Sequence, residues 1–398
     1  MAQKIDFIDN VIQFVDMVFT EAINKWASDI HFEPQKEFFL VRFRIDGDMY
    51  SMYEINNSNR DSIISRIKIL ARLKIDENRK PQDWQIVYKF SNGEDIDMRV
   101  STFPILYWEK TVIRVLKKDN ALLDVNSLWL NSFNAEIVKK SLWLKEWLLL
   151  VSGPTWSWKT TTLYAMLNSF NPAAYNISTL EDPVEYRLDG MNQSQVNSDI
   201  WYDFSAGLRT LLRQDPDIIL VWEIRDRETA KLAVEASLTW HLVLGTIHAN
   251  RWIWVVERLT NMWIEPYLLA SSLKLVVSQR LVKKFCTCAQ PKEIEEYEEK
   301  VISEGLGKLR DSVKWNIWLK KPVWCDRCLN TWTKWRLAVH EVIYFDSDFS
   351  RWITEDHEKE NWDKLMDQKN YLNLYQDWLL KVAFWFTELK NILAFRDV

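Results

Sequence analysis

The sequence predicts an α/β protein in which a smaller N-terminal α+β domain precedes a core built on a parallel, doubly wound sheet. Two observations carry this. From residue 148 onward, short apolar runs (LLLVS, NISTLEDPVEY, DIILVWEI, HLVLGTIHAN) end in polar or charged residues and are separated by helical segments, the alternation of βαβ units. The first run leads through GPTWSWKT into the helical TTLYAML, and strand, loop, helix is the order that a phosphate-binding loop needs. Sheets of this kind bind ligands at the carboxyl ends of their strands.

The elements follow in order. Ile8, Val11, Ile12, Val15, Val18, Phe19, Ala22 and Ile23 recur at helical spacing. In VRFRIDGDMY, Val41, Phe43 and Ile45 alternate with Arg42, Arg44 and Asp46, as in a strand with one wet face. Residues 61–73 read as a second amphipathic helix, and 94–103 and 110–116 as strands. Residues 1–117 are thus expected to form the α+β domain, the polar, patternless 118–128 a linker, and 129–398 the larger domain. Within the latter, two cysteine pairs set off a subdomain at 286–328, with an acidic helical stretch at 291–304, and 340–398 is expected to be helical.

Composition bounds the function. The 398 residues suit two or three domains. Lys and Arg total 51 against 56 Asp and Glu, a net charge of −5, which argues against nucleic acid as the main partner. No apolar run reaches the ~18 residues of a membrane span. The start, MAQKIDFIDNVIQ, shows no secretory signal, so a soluble cytoplasmic chain is expected. Two counts are abnormal. Glycine appears 8 times, where ordinary usage predicts roughly 28. Tryptophan appears 23 times, where roughly 4 to 5 would be ordinary. One residue is missing by about the amount the other is in excess.

Residues 153–160 match the phosphate-loop pattern G-x-x-x-x-G-K-[ST] at Gly153, Lys159 and Thr160, but position 158 is Trp. Glycine is needed there because the backbone N–H groups close around the phosphates, and a side chain obstructs both the dihedrals and the space. Read literally, the loop binds nothing.

The surroundings point elsewhere. LRQDPDIILVWEIRD (212–226), ASDIHFEP (27–34), RFRIDG (42–47), RVST (99–102), TLEDPVEY (179–186) and HLVLGTIHAN (241–250) are blocks by which the chain resembles the ATPases of type II secretion and type IV pilus assembly. The resemblance covers nearly the whole length. Tryptophan stands where that family has glycine at Trp26, Trp84, Trp108, Trp147, Trp156, Trp158, Trp201, Trp222, Trp240, Trp254, Trp263, Trp324, Trp332, Trp335 and Trp378, with Trp252 and Trp385 grouped beside them. Random change does not aim so well. The expectation is a UGA codon that the source reads as glycine, a code some bacterial lineages use. If the tryptophans are genuine, the chain is instead a catalytically dead structural ring component.

The resemblance implies a RecA-like P-loop ATPase core with the smaller domain packing over the nucleotide. It implies ATP held by Gly153, Pro154, Thr155, Trp156, Ser157, Trp158, Lys159, Thr160, Thr161 and Arg225, with the 156 and 158 positions as glycine. Lys159 would reach the β/γ phosphates, and Thr160 would bind Mg²⁺. Glu223 becomes the Walker B acid, holding the Mg²⁺ shell or orienting the attacking water. Glu181, Asp182 and Glu185 fall in the family's Asp box. His241 and His248 fall in the His box, His248 near the γ-phosphate, and His31 is assigned to building the small domain. Arg44 and Arg60 are candidate arginine fingers, and Arg209 and Arg213 further cations of the core. The expected machine is a homo-hexamer, peripheral at the cytoplasmic face of the inner membrane, pushing on a platform protein. The chain starts almost at the small domain, without the longer N-terminal region by which many relatives dock.

Cys286 and Cys288 form C-x-C, and Cys325 and Cys328 form C-x-x-C. Four thiolates in two close pairs suit a tetrahedral structural Zn²⁺. The second pair resembles the family's tetracysteine module; the first is tighter than the family's usual C-x-x-C.

Overall fold

The structure is a computed structural model. It describes the chain except residues 1, 6–7, 91–92, 117–123, 145, 156, 186, 308–317, 322, 324, 326–327, 329–332, 356–358 and 390–398. Trp156, Trp324, Trp332 and residues 118–123 of the expected linker therefore lie outside the described residues. The chain divides into two units, Met1–Asp119 and Asn120–Val398.

The first unit holds one seven-stranded sheet: β1 (Gln3–Ile5), β2 (Asp29–Pro34), β3 (Phe38–Ile45), β4 (Asp48–Asn56), β5 (Gln82–Lys89), β6 (Asp95–Ile105) and β7 (Trp108–Leu116), in the order β1-β4-β3-β2-β7-β6-β5. Only β1 against β4 is parallel. Along β3, buried Phe39, Val41 and Phe43 alternate with half-buried Arg42 and Arg44. Helices α1 (Val11–Asn24) and α2 (Arg60–Leu70) cover the apolar face with Val15, Val18, Phe19, Ile63 and Ile67. One ion pair is sealed inside this unit: Lys68 Nζ lies 2.6 Å from Glu109 Oε2, both side chains at most 2% exposed.

The second unit opens with α3 (Ser132–Leu142), then runs β8 (Trp147–Ser152), α4 (Lys159–Leu167), β9 (Ile177–Glu181), β10 (Asn192–Gln195), α5 (Phe204–Leu211), β11 (Ile218–Val221), α6 (Arg227–Ser237) and β12 (Leu242–Ile247). Helices α7 (Trp252–Asn261) and α8 (Pro266–Ser272) lead into the long β13 (Leu273–Phe285). The order of the sheet is β10-β9-β11-β12-β8-β13, parallel throughout, with an antiparallel edge strand, β16 (Thr333–Tyr344), beside β13. Leu148, Leu150, Ile219, Val221 and Val243 pack on one face, and Leu149, Val151, Leu220 and Leu244 on the other. A sheet buried on both sides needs continuous apolar strands, which is why LLLVS and IILV carry no polar alternation. No described helix is long and apolar enough to cross a membrane.

Two expected boundaries move. Between β13 and β16 lie β14 (Gln290–Glu293), α9 (Glu296–Leu306) and β15 (Trp318–Lys321), so the acidic helix starts at Glu296 rather than 291. Gln290–Glu293 pairs with Trp318–Lys321 instead. The helical region expected from residue 340 starts at Ser347, with α10 (Ser347–Glu355), α11 (Lys359–Gln368) and α12 (Leu374–Ala383). Residues 340–344 complete β16, because buried Val342 and Ile343 pair with Val277 and Val276 of β13.

The backbone singles out tryptophan. Among the described residues, fourteen non-glycine residues have positive φ, and ten are Trp: 26, 108, 129, 147, 158, 201, 240, 263, 335 and 385, with φ from 57° to 138°. Three of the other four are Asp46, Asp215 and Asn370, types that tolerate this region through short polar side chains. An indole gains nothing comparable, and left-handed backbone costs a non-glycine residue about 1–3 kcal/mol.

Candidate functional site

The site grows from the end of β8. Gly153 follows the strand with φ 151°, and a Cβ built there would lie 2.4 Å from the backbone oxygen of Gln279 and 2.6 Å from Ser157 Oγ. Only glycine fits. The loop closes on Trp158, whose φ of 64° and ψ of 29° turn the chain into α4. Lys159, Thr160 and Thr161 occupy the first turn of that helix. Pro154 and Thr155 are exposed, and Ser157 is buried. The backbone is therefore that of a phosphate cradle at a helix N-terminus, where unpaired N–H groups favour an anion. The residues present fit a nucleotide in backbone and cation; the side chain at 158 is the misfit.

Lys159 folds back over its own loop. Its Nζ donates to the oxygen of Gly153 at 2.8 Å and of Pro154 at 3.2 Å. It also lies 3.5 Å from His248 Nδ1. His248 follows β12, and its Nε2 stands 3.0 Å from Glu223 Oε1. Glu223, 4% exposed, follows β11, and its other oxygen accepts from the Arg225 guanidinium. Parallel strands put these ends side by side, so residues far apart in sequence form one chain: Lys159, His248, Glu223, Arg225. Burial pushes the Lys159 ammonium down to about 8, against the pull of Glu223. Burial, then the charge of Lys159, lowers His248. A neutral imidazole fits both contacts: Nε2–H donates to Glu223, and Nδ1 accepts from Lys159. The hydrogen bond from Arg225 to Glu223 raises the arginine's pKa. A cavity of about 370 Å³ opens beside the loop, between Gly153, Pro154, His248, Trp254 and Arg258.

Other expected residues are placed differently. Asp182 follows β9, close enough to Arg225 to favour its charge. Glu181 points into the core, fully buried. One oxygen accepts from the Tyr164 hydroxyl of α4, and the other from Thr179 at 2.6 Å and Gln193 at 3.0 Å. That arrangement braces α4 against the sheet rather than facing a ligand. His241 precedes β12, at the far end of the sheet, with Nδ1 3.0 Å from the Ala236 oxygen. Arg209 pairs with Glu228. Arg44 and Arg60 belong to the first unit. Arg44 donates to Gly47 O at 2.8 Å and lies 3.7 Å from Asp29. Arg60 donates to Tyr107 O at 3.2 Å, pairs with Asp61 at 2.9 Å, and sits 4.8 Å over the Trp108 ring. His31 joins Arg42 and Lys110 around Glu33, holding that carboxyl far below its usual range despite burial.

Sequence reasoning missed Gln279. It is fully buried in β13, donates to the Ser157 oxygen, and accepts from the Thr162 hydroxyl at 2.8 Å. It clamps the loop from behind. The signal was present in LKLVVSQRLV, where Ser-Gln interrupts an apolar strand. Ser278 likewise meets Ser152 at 2.8 Å.

A second centre sits beyond β13. The Sγ atoms of Cys286, Cys288, Cys325 and Cys328 lie within 4.8 Å of one another. Three of the separations are 3.9, 3.9 and 3.7 Å. A tetrahedron with Zn–S bonds of about 2.3 Å has edges of about 3.8 Å. The donor set and its spacing therefore fit Zn²⁺. Partial burial and the other three sulfurs push the Cys288 thiol up to about 12, a cost that a bound cation reverses.

Comparison with known proteins agrees with this geometry. A family profile described as type II/IV secretion system protein matches residues 6–394. The type II secretion system protein E of Pectobacterium carotovorum is 40% identical over 85% of this chain and 66% of its own length. The type IV pilus assembly ATPase PilB of Myxococcus xanthus is 44% identical over 84% of this chain and 59% of its own. The chain thus spans less than two thirds of the length of these relatives. The solved structure of the ATPase DotB of Legionella pneumophila superposes with a TM-score of 0.71 over 99% of this chain and 98% of that one, at 16% identity, a likeness of fold. That fold, a RecA-like α/β core with a smaller N-terminal domain, is the one expected from the sequence. Fold, phosphate loop and alignment converge: the chain belongs to the type II/IV secretion system protein family.

Proposed function

We propose that the chain hydrolyses ATP as the motor of a type IV pilus assembly or type II secretion machine. The observation that carries this is the Lys159–His248–Glu223–Arg225 chain at the carboxyl ends of β8, β11 and β12, beside the phosphate loop. Lys159 and the loop N–H groups take the β/γ phosphates. Glu223, its oxygen held toward His248, orients the attacking water and accepts its proton. His248 reports the γ-phosphate to Glu223 because it touches both Lys159 and the carboxylate. Arg225 offsets the charge that develops on the phosphoryl group. Thr160 and Glu223 would hold Mg²⁺, which neutralises phosphate charge when bound. Asp182 supports Arg225, and Glu181 holds α4 in register. Arg44 and Arg60, both in the first unit, are proposed as arginine fingers during turnover.

The same reading extends to a homo-hexameric ring, peripheral on the cytoplasmic side of the inner membrane, acting on a platform protein, with Zn²⁺ on the four cysteines. Its support is the family alone and, for zinc, the sulfur tetrahedron. The test is Glu223→Gln in a chain carrying glycine at 156 and 158. ATP binding should persist while turnover drops at least a hundredfold. Retained turnover removes Glu223 from the chemical step.

A further inference from the structure

We infer that the ten tryptophans with left-handed backbone, at 26, 108, 129, 147, 158, 201, 240, 263, 335 and 385, are glycine in the protein as its source makes it. The backbone carries the inference residue by residue, which a composition count does not. A chain chooses positive φ where its hydrogen bonds and turns demand it, and glycine is the residue that meets the demand without strain. Five of the eight glycines that the sequence does contain are also at positive φ: Gly47, Gly93, Gly153, Gly190 and Gly307. The ten tryptophans share that backbone habit.

Packing does not explain the most exposed of them. Trp201, Trp240 and Trp263 are 90%, 78% and 75% exposed, so no buried indole holds the chain in place. Trp26, Trp263 and Trp385 stand just past the last residue of α1, α7 and α12, each closing its turn with a backbone hydrogen bond of 2.9–3.1 Å. That is where helices most often end in a left-handed glycine. Trp158, by contrast, is the left-handed residue just before α4, where the phosphate loop turns into its helix. The criterion also separates tryptophans that composition lumps together. Trp129 is added, although no motif flags it. Trp252 is left out: it has no positive φ, is fully buried, and its ring meets Phe345, Phe349, Trp352 and Trp362 at 5.4–5.8 Å.

The chemistry that links the two residues is decoding. A glycine-charged transfer RNA that reads UGA places glycine where the standard table writes tryptophan. Nothing in the protein reacts, so no oxidant or cofactor is required. The inference does not depend on the ATPase reading, since it concerns backbone conformation throughout both units.

The experiment is tryptic peptide mass spectrometry on the protein from its source cells, with the gene sequenced beside it. Peptides 26–36, 100–110, 119–139, 146–159 and 188–209 together span positions 26, 108, 129, 147, 158 and 201. Each should carry the mass of glycine at those positions, and the codons at all ten should be UGA. Tryptophan masses in these peptides, or UGG codons, overturn the inference; the readout needs neither folding nor activity. Tryptophan at these positions in source-made protein that hydrolyses ATP would overturn it and leave the ATPase reading standing. A glycine-bearing protein that binds no ATP would do the reverse.

Discussion

Trp201 and Trp143 form a matched pair whose responses to glycine should have opposite signs. Both are at element ends and both are almost fully exposed, at 90% and 82%. They differ in backbone: Trp201 has φ 58° and ψ 24°, whereas Trp143 has φ −79° and ψ −3°. Left-handed backbone costs a non-glycine residue about 1–2 kcal/mol. Glycine costs about 0.5–1 kcal/mol through the freedom it adds to the unfolded chain. Trp201→Gly therefore gains about 0.5–1 kcal/mol, and Trp143→Gly loses about as much. For domains of this size those changes are shifts of about 1–3 °C in Tm, up and down respectively. Trp201→Ala is the control: it removes the indole but keeps the strain, so it should not rise. The assay is thermal and urea unfolding in a chain with glycine at the other nine left-handed tryptophan positions. If Trp201→Ala matches Trp201→Gly, or both glycine variants move Tm in the same direction, backbone strain is not the cause.

Four further outcomes follow from the sites. Lys159→Ala in the glycine-bearing chain should abolish measurable ATP hydrolysis and weaken binding, read by fluorescent-nucleotide titration; near-parental turnover removes Lys159 from the site. Lys159 loses its proton in the free protein as pH rises through about 8, while phosphate favours the ammonium. ATP affinity should thus be flat below that pH and fall by up to about tenfold per pH unit above it, and a flat titration to pH 9.5 contradicts this. Purified protein should hold close to one zinc per chain, and chelation should expose four reactive thiols and lower Tm; metal-free folded protein with all four thiols reactive rules the centre out. In the first unit, Glu109→Gln should cost about 3–5 kcal/mol by stranding the buried Lys68 charge, whereas the apolar pair Lys68→Met with Glu109→Leu should cost less, both read by urea unfolding.

How far the sequence reaches depends on what kind of force shapes each element. The parallel sheet is legible because burial on both faces leaves apolar runs at 148–151, 218–221 and 242–244. β13 and β16 are not, because each mixes apolar residues with buried polar ones: Ser278, Gln279 and Glu341, whose partners lie far away in sequence, and His340. Lys159, Glu223 and His248 are legible as a set because each follows the carboxyl end of a strand, Glu223 and His248 directly and Lys159 across the phosphate loop. The burial of Glu181 is not, since it hangs on Tyr164 one helix away and on Gln193 in the next strand. The left-handed positions divide similarly. Motifs mark 158 and 201, but 129 lies in a segment with no pattern, and only its φ of 64° reveals it.

The cysteine centre has a place in the topology with a consequence for descent. It occupies the connection between β13 and β16, whose ends are already joined, Phe285 standing opposite Thr333 in the antiparallel ladder. The connection between them, which carries β14, α9, β15 and the four cysteines, therefore hangs on a closed hairpin. Such a loop can be lengthened, exchanged or deleted by one recombination event without breaking a strand of the nucleotide-binding sheet. The strands of the core sheet stay intact without the module, but its loss would uncover Val282, Leu337, Val339 and Leu379, against which Ile302, Leu306 and Leu319 pack.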